Sequence, residues 1–309
     1  MARVFIGMPA YNGERFIKEA IESLIAQTYT DWGLFISDDA STDSTRRICE
    51  EFSRADKRII YRRQERNLGL FANFKFTLDQ ADGDYFMWAA QDDLWENEYL
   101  ETCVGLLEKE ASIGLATTCN ETIDSFGRKV LDAPWMTALS GQPGWRRVAK
   151  YVLQPESLGK NNLMYGLFRT EAAKAVWQAY PQRGAWGQDY HVALALVSRF
   201  QVIIDPKALF KKRLGGYSSP QLSLTSADVR IEGKDLLDPK NPKNGMFPFG
   251  RFGSYLAGHR EALRGTPYWP LAFLLFIRLP RALLIHIKER SVVNSLRRRV
   301  GNTPHVHHR

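Results

Sequence analysis

Cysteine is scarce and poorly spaced for a scaffold. Cys49, Cys103 and Cys119 are odd in number and form no CxxC pair, which excludes a disulfide framework and a zinc ribbon. A reducing compartment is the simplest setting for them. No stretch reaches the 18 or so uninterrupted apolar residues of a spanning helix, because Arg278, Pro280 and Arg281 break the one candidate between Tyr268 and Arg299. The opening MARVFIGMPAYNGE turns polar after one short apolar run, unlike a secretory signal, so a cytoplasmic body is expected. Internal repeats are absent, and biased composition is confined to Arg297–Arg299 and to His305, His307 and His308. That terminal cluster is the one His grouping with metal-like spacing, and His191 reads as a packing residue. No nucleic-acid motif is found.

What remains is the composition of a globular protein. The chain has 309 residues, 44% hydrophobic, 12% aromatic and 25% charged, enough for a substantial core and incompatible with a disordered, collagenous or coiled-coil whole. The net charge of +8 is local. From Arg260 onward ten Lys/Arg stand against Glu261 and Glu289, so the rest of the chain is neutral.

The first third alternates strand-like and helix-like patterns. Strands are expected at Val4–Met8, Leu34–Ser37, Ile59–Tyr61 and Tyr85–Ala89. Helices are expected at Glu14–Gln27, Thr42–Phe52, Phe71–Gln80 and Glu98–Glu110. Such alternation predicts a mostly parallel α/β sheet with helices on its faces. Ligands in these sheets sit at the carboxyl ends of the strands, which here carry Pro9-Ala10-Tyr11-Asn12, Asp38-Asp39 and Gln91-Asp92-Asp93. Carboxylates that converge there would repel one another unless a cation relieved them. Further on, helices are expected at Glu171–Tyr180 and Asp189–Ser198, and a strand at Gln201–Ile204.

The stretch Met8–Thr45, with a strand ending in PAYN, a helix with QT at its end and a strand ending in DDxSxD, resembles the start of family 2 glycosyltransferases. ERNLGLFANF and ADGDYFMWAAQDDLW are similar to the same family's next two blocks. The resemblance implies the GT-A fold, a Rossmann-like sheet, and inverting transfer of a sugar from a nucleotide-diphosphate donor to an acceptor hydroxyl. It places Pro9, Ala10 and Tyr11 around the base and Asp39 on the imide edge of a uracil or thymine ring, so a UDP- or dTDP-sugar is the expected donor. Asn67, with Gly69, fits a turn lining the nucleotide pocket, and Arg213 in the Lys211-Lys212-Arg213 run falls near the diphosphate. Gln91, Asp92 and Asp93 occupy the DxD-type position that holds Mn²⁺ or Mg²⁺, with Asp93 the first choice of ligand and Asp92 toward the ribose or a metal-bound water. Where many relatives carry a further Asp this chain has Ala90, which implies weaker metal binding. Asp189, in Trp186-Gly187-Gln188-Asp189-Tyr190, matches the position of the base that deprotonates the acceptor, with Trp186 and Gln188 on the acceptor side.

Each of these has a plainer reading. Asp38 and Asp39 stand where helix N-caps belong, Asp189 suits the first turn of a helix, Gln91–Asp93 suits a surface turn, and NxG is a turn signal in its own right. Two rival functions follow: a catalytically inactive nucleotide-sugar or glycan-binding module, and a nucleotidyltransferase. The latter would want a Gly-rich, basic phosphate loop after the first strand, and PAYNGE is not one.

The expected organisation is a catalytic domain over 1–220, with a nucleotide half (1–110) and an acceptor half (111–220), a connection over 221–260 and a basic amphipathic extension over 261–309. On a helical projection Arg278, Arg281 and Lys288 share one stripe beside an apolar face. That pattern suits a helix lying in an anionic membrane interface on the inner face of the membrane, near a glycan or lipid-linked acceptor; packing on the catalytic domain or on a partner subunit is the alternative.

Overall fold

The computed structural model describes residues 2–154, 159–179, 187–213, 251–280 and 282–283. In chain order the strands are β1 (Val4–Ala10), β2 (Trp32–Asp38), β3 (Ile59–Arg63), β4 (Tyr85–Trp88), β5 (Leu94–Trp95), β6 (Ile113–Ile123), β7 (Lys129–Asp132), β8 (Leu167–Arg169) and β9 (Gln201–Arg213). The helices are α1 (Ile17–Ile25), α2 (Thr45–Ala55), α3 (Leu70–Asp79), α4 (Tyr99–Leu107), α5 (Trp145–Leu153), α6 (Thr170–Ala179), α7 (Gln188–Arg199) and α8 (Phe252–Ala262). The strands form one sheet in the order β3-β2-β1-β4-β8-β6-β9-β5, with β7 paired to β6.

The four strands expected from the first third run parallel to one another: β1 with β2 and β4, and β2 with β3. The remainder makes the sheet mixed. β8 runs antiparallel to β4 and β6, β5 antiparallel to β9, and β6 parallel to β9. β6 escapes the sequence pattern because it buries Thr117, Thr118, Asn120 and Thr122 in mid-strand, and these polar residues erase the apolar run that marks a central strand. Gln201–Ile204 is only the first third of β9, whose later residues carry the Lys-Lys-Arg run out to the site.

Period-two alternation divides the core in two. Val4, Ile6 and Met8 of β1 and Tyr85 and Met87 of β4 pack with α1 and α4 on one face. Phe86 and Trp88 of β4 point to the other, among residues of α5, α6 and α7. Trp88 is fully buried, edge-on to Phe86 and Phe168, and donates its Nε1–H to Phe74 O at 3.1 Å. Trp88 is the last residue of β4, and the turn carrying Gln91–Asp93 begins three residues later.

The turn-rich Asp238–Gly245 and most of the expected 221–260 connection lie outside the described residues. Of that connection 252–260 is helical, in α8, which packs on α7 through His191, Tyr255 and His259. His191 is fully buried there, as expected of a packing residue. The expected basic stripe needs correction. Arg278 is buried and donates to Val152 O, because the chain following α8 turns back onto α5; Arg281 and Lys288 lie outside the described residues. All three cysteines are buried and free.

Candidate active site

The carboxyl ends of β1, β2 and β4 open into one cleft. Pro9, Ala10, Tyr11, Asp39, Gln91 and Asp92 line it, together with Leu70, Asn73 and Phe74 of α3, Ala90, Tyr165 and Lys212. The loops that shape it are tied by side chains. Asp38, fully buried, accepts from Tyr61 Oη at 2.6 Å, Arg63 Nη1 at 3.0 Å and Ser41 N at 2.9 Å, and is a tether, not a ligand. The next carboxylate, Asp39, accepts the amides of Leu68 (2.6 Å) and Gly69 (3.0 Å). Each of its oxygens retains lone-pair capacity toward the cleft. Ala40 follows at φ +61°, a left-handed conformation uncommon for alanine and characteristic of over-determined functional turns. Asn67 does not reach the cleft: its Oδ1 accepts from Gly69 N within its own turn.

Gln91 clamps the loop after β1. Its Oε1 accepts Tyr11 N at 2.9 Å and its Nε2 donates to Tyr11 O at 3.0 Å, while Gly13 passes so close that a Cβ there would strike the carboxamide. Replacing Gln91 with Glu sets an acceptor against the Tyr11 carbonyl. Affinity for nucleoside diphosphate is expected to fall roughly 10- to 100-fold, and unchanged binding by titration calorimetry would remove this role for the clamp.

The two adjacent aspartates diverge. Asp92 lines the cleft, whereas Asp93 is fully buried, accepting Lys212 Nζ at 2.9 Å on Oδ2 and Arg213 N at 2.9 Å on Oδ1. Burial pushes its carboxyl up to about 6 against the pull of Lys212. Burial would lower the Lys212 ammonium, yet Asp93, Tyr165 and Asp92 hold it above the ordinary lysine range. Arg213 departs from expectation. Its guanidinium donates to Asp92 O (2.8 Å), Asp124 O (3.3 Å) and Glu19 Oε2 (2.7 Å) and covers the Phe16 ring, so it holds the turn from behind and does not line the cleft. The cation on the cleft wall is its neighbour Lys212, which composition alone does not separate from Lys211 and Arg213; alternation along β9 sends adjacent side chains to opposite faces.

Asp189 lies in the first turn of α7, after Gly187 at φ +80°. Its Oδ2 accepts Asn161 Nδ2 at 2.7 Å, and burial raises its carboxyl above the usual aspartate range. It stands off the cleft lining but within electrostatic reach of Lys212, and Tyr165 feels Asp93, Asp189 and Asp92 alike. Gln188, expected on the acceptor side, is buried, and Trp186 lies outside the described residues.

Residues 5–164 match the family described as Glycosyl transferase family 2. The chain belongs to that family. Among curated relatives, GlyA, a glycosyltransferase of Streptococcus pneumoniae, is 28% identical over 203 residues, covering 65% of this chain and 26% of the relative. RfbG, a dTDP-rhamnosyl transferase of Shigella flexneri, is 37% identical over 105 residues, 32% of this chain and 36% of the relative. The matches thus span well under two thirds of these relatives. Among solved structures the fold resembles S. aureus TarS 1-349, at a TM-score of 0.57 and 16% identity, covering 94% of this chain and 91% of that one. It also resembles the mannosyltransferase PcManGT of Pyrobaculum calidifontis, solved with GDP-Man and Mn²⁺, at 0.52 and 16%, covering 94% and 81%. The mixed α/β sheet is therefore of the GT-A type.

The arrangement in this family 2 chain does not fit a cation held by Asp92 and Asp93 together. A hard divalent ion binds carboxylate oxygens, but Asp93 Oδ2 already holds the Lys212 ammonium at 2.9 Å, a like charge that repels a divalent ion placed on the same carboxylate. Among the described residues no three His, Cys, Asp or Glu converge as a metal site.

Proposed function

We propose that the chain is an inverting glycosyltransferase that moves a sugar from a nucleoside-diphosphate donor, a UDP- or dTDP-sugar, to a hydroxyl of a glycan or lipid-linked acceptor in polysaccharide synthesis, as a hexosyl- or deoxyhexosyltransferase. The observation that carries this reading is the convergence of Pro9–Tyr11, Asp39 and Gln91–Asp92 on one cleft with Lys212. The base packs at Pro9, Ala10 and Tyr11, and Asp39 accepts its imide N–H. Asp92 faces the ribose. The acceptor oxygen attacks the anomeric carbon from the side opposite the diphosphate, and the carbon–oxygen bond breaks with its electron pair leaving on the diphosphate. The hydroxyl proton passes to Asp189, whose raised proton affinity suits a general base. The Mn²⁺ or Mg²⁺ expected from the family has no step here, for the reason just given. Nucleotide release measured across UDP-, dTDP- and GDP-sugars tests the reading. Release from one donor, dependent on an acceptor, is the expected result; absence of both release and nucleotide binding overturns it.

The proposal extends to an anionic membrane surface. Among the described residues no helix is long and apolar enough to cross a membrane. Trp269, Phe273, Phe276 and Ile277 nevertheless stay 54%, 41%, 47% and 66% exposed, and Trp269 lines a surface hollow with Arg260 and Arg264. Aromatic side chains beside arginines suit the headgroup boundary. Substituting Trp269, Phe273 and Phe276 together with Ser is expected to reduce co-sedimentation with phosphatidylglycerol vesicles roughly tenfold or more while leaving transfer to a soluble acceptor intact. Undiminished co-sedimentation would sink this extension.

A further inference from the structure

We propose that Lys212 takes the place of the divalent cation in this chain, so that the nucleoside diphosphate is held at the Gln91–Asp93 turn by an ammonium group and binds without metal. The proposal rests on the donor-site reading above. Four observations carry it. Lys212 is on the wall of the cleft that holds Asp39 and Asp92. Its Nζ is fixed 2.9 Å from Asp93 Oδ2 and lies over the Tyr165 ring at 4.8 Å, a seat that defines where the charge sits. Asp93 is held from its other oxygen by the Arg213 amide at 2.9 Å, so the carboxylate that seats the ammonium is itself fixed. The position preceding Gln91 is Ala90, which also lines the cleft and offers no oxygen.

An ammonium carries three donors and no acceptor, so after the bond to Asp93 the remaining N–H groups can meet phosphate oxygens. A lysine acting as a point charge is an established way to bind phosphate. Seated there, the same charge would stabilise the diphosphate as it leaves. Lys212 was not singled out by sequence because its two basic neighbours mask it. Lys211 is spent on Glu96 and Glu121, and Arg213 on backbone carbonyls and Glu19.

Titration calorimetry of the full chain with UDP, dTDP and GDP, in EDTA and then in Mn²⁺, tests this. The nucleotide that binds is expected to do so with dissociation constants that differ by less than tenfold between the two conditions. Removing the ammonium should weaken binding in EDTA roughly 10- to 100-fold. Because Lys212→Met alone strands Asp93 without its cation, the informative variant is Lys212→Met with Asp93→Asn, which removes both charges together; a melting temperature near wild type establishes that it is folded. Wild-type binding tenfold or more weaker in EDTA than in Mn²⁺ overturns the proposal and leaves the donor site standing. So does wild-type affinity in the folded double variant. No binding of any of the three nucleotides in either condition overturns the donor-site reading along with it.

Discussion

Asp189→Asn is expected to lower turnover roughly 100- to 10,000-fold, the usual worth of a positioned general base, while nucleotide affinity stays within experimental error. The split follows from position: Asp189 does not line the cleft where the nucleotide is placed, yet it lies within reach of Lys212 and shares the field around Tyr165. Asn keeps an oxygen to accept the Asn161 amide, so the longer-range tie is preserved, while the basic site and the short-range bond from Tyr190 N are lost. Stability gives an independent check. Burial raises the Asp189 carboxyl above its ordinary value, so the folded state binds its proton more tightly than the unfolded one. That stability is present at low pH and lost as pH rises through the folded value. At neutral pH the variant should therefore melt at the same or a higher temperature than wild type. If the residue served only the dipole of α7, the variant would melt lower with turnover unchanged. For the wild type, kcat/KM should fall on acidification at a pH above the ordinary aspartate range near 3.9, because only the unprotonated carboxylate accepts the acceptor's proton.

The parallel half of the sheet was legible because β1, β2 and β4 are apolar on both faces and end in abrupt polar turns. Three of those turns, at Pro9–Tyr11, Asp39 and Gln91–Asp92, do meet in one cleft. Less could be read where burial and polarity part company. The polar run inside β6 hid a central strand, and the 13-residue β9 read as a four-residue one because its second half is rich in Lys and Arg. Roles among adjacent like residues were harder still. Asp92 and Asp93, or Lys212 and Arg213, are indistinguishable by composition, and only strand alternation and turn geometry decide which faces the cleft. Asn161 carried no signal at all: its link to Asp189 spans 28 residues, a contact that no local pattern encodes.

Arg213 separates a structural cation from a ligand. Its side chain has no exposure, whereas its ionic partner Glu19 is 54% exposed, so the exposed end of the pair adds little. The stabilisation lies in the buried hydrogen bonds to Asp92 O and Asp124 O and in contact with the Phe16 ring. Arg213→Met fills similar volume but leaves the Asp92 carbonyl without that donor, and the expected loss is about 2–4 kcal/mol of unfolding free energy by urea titration. Glu19→Gln, which removes only the exposed charge, should cost less than about 1 kcal/mol. Because the Asp92 carbonyl belongs to the turn that sets the Asp92 side chain, nucleotide affinity should fall as well, and the fall should accompany the loss of stability. A variant as stable as wild type that bound nucleotide ten times more weakly would instead put the Arg213 guanidinium on the phosphates, as the family resemblance first implied, and would return Lys212 to a purely structural partner of Asp93.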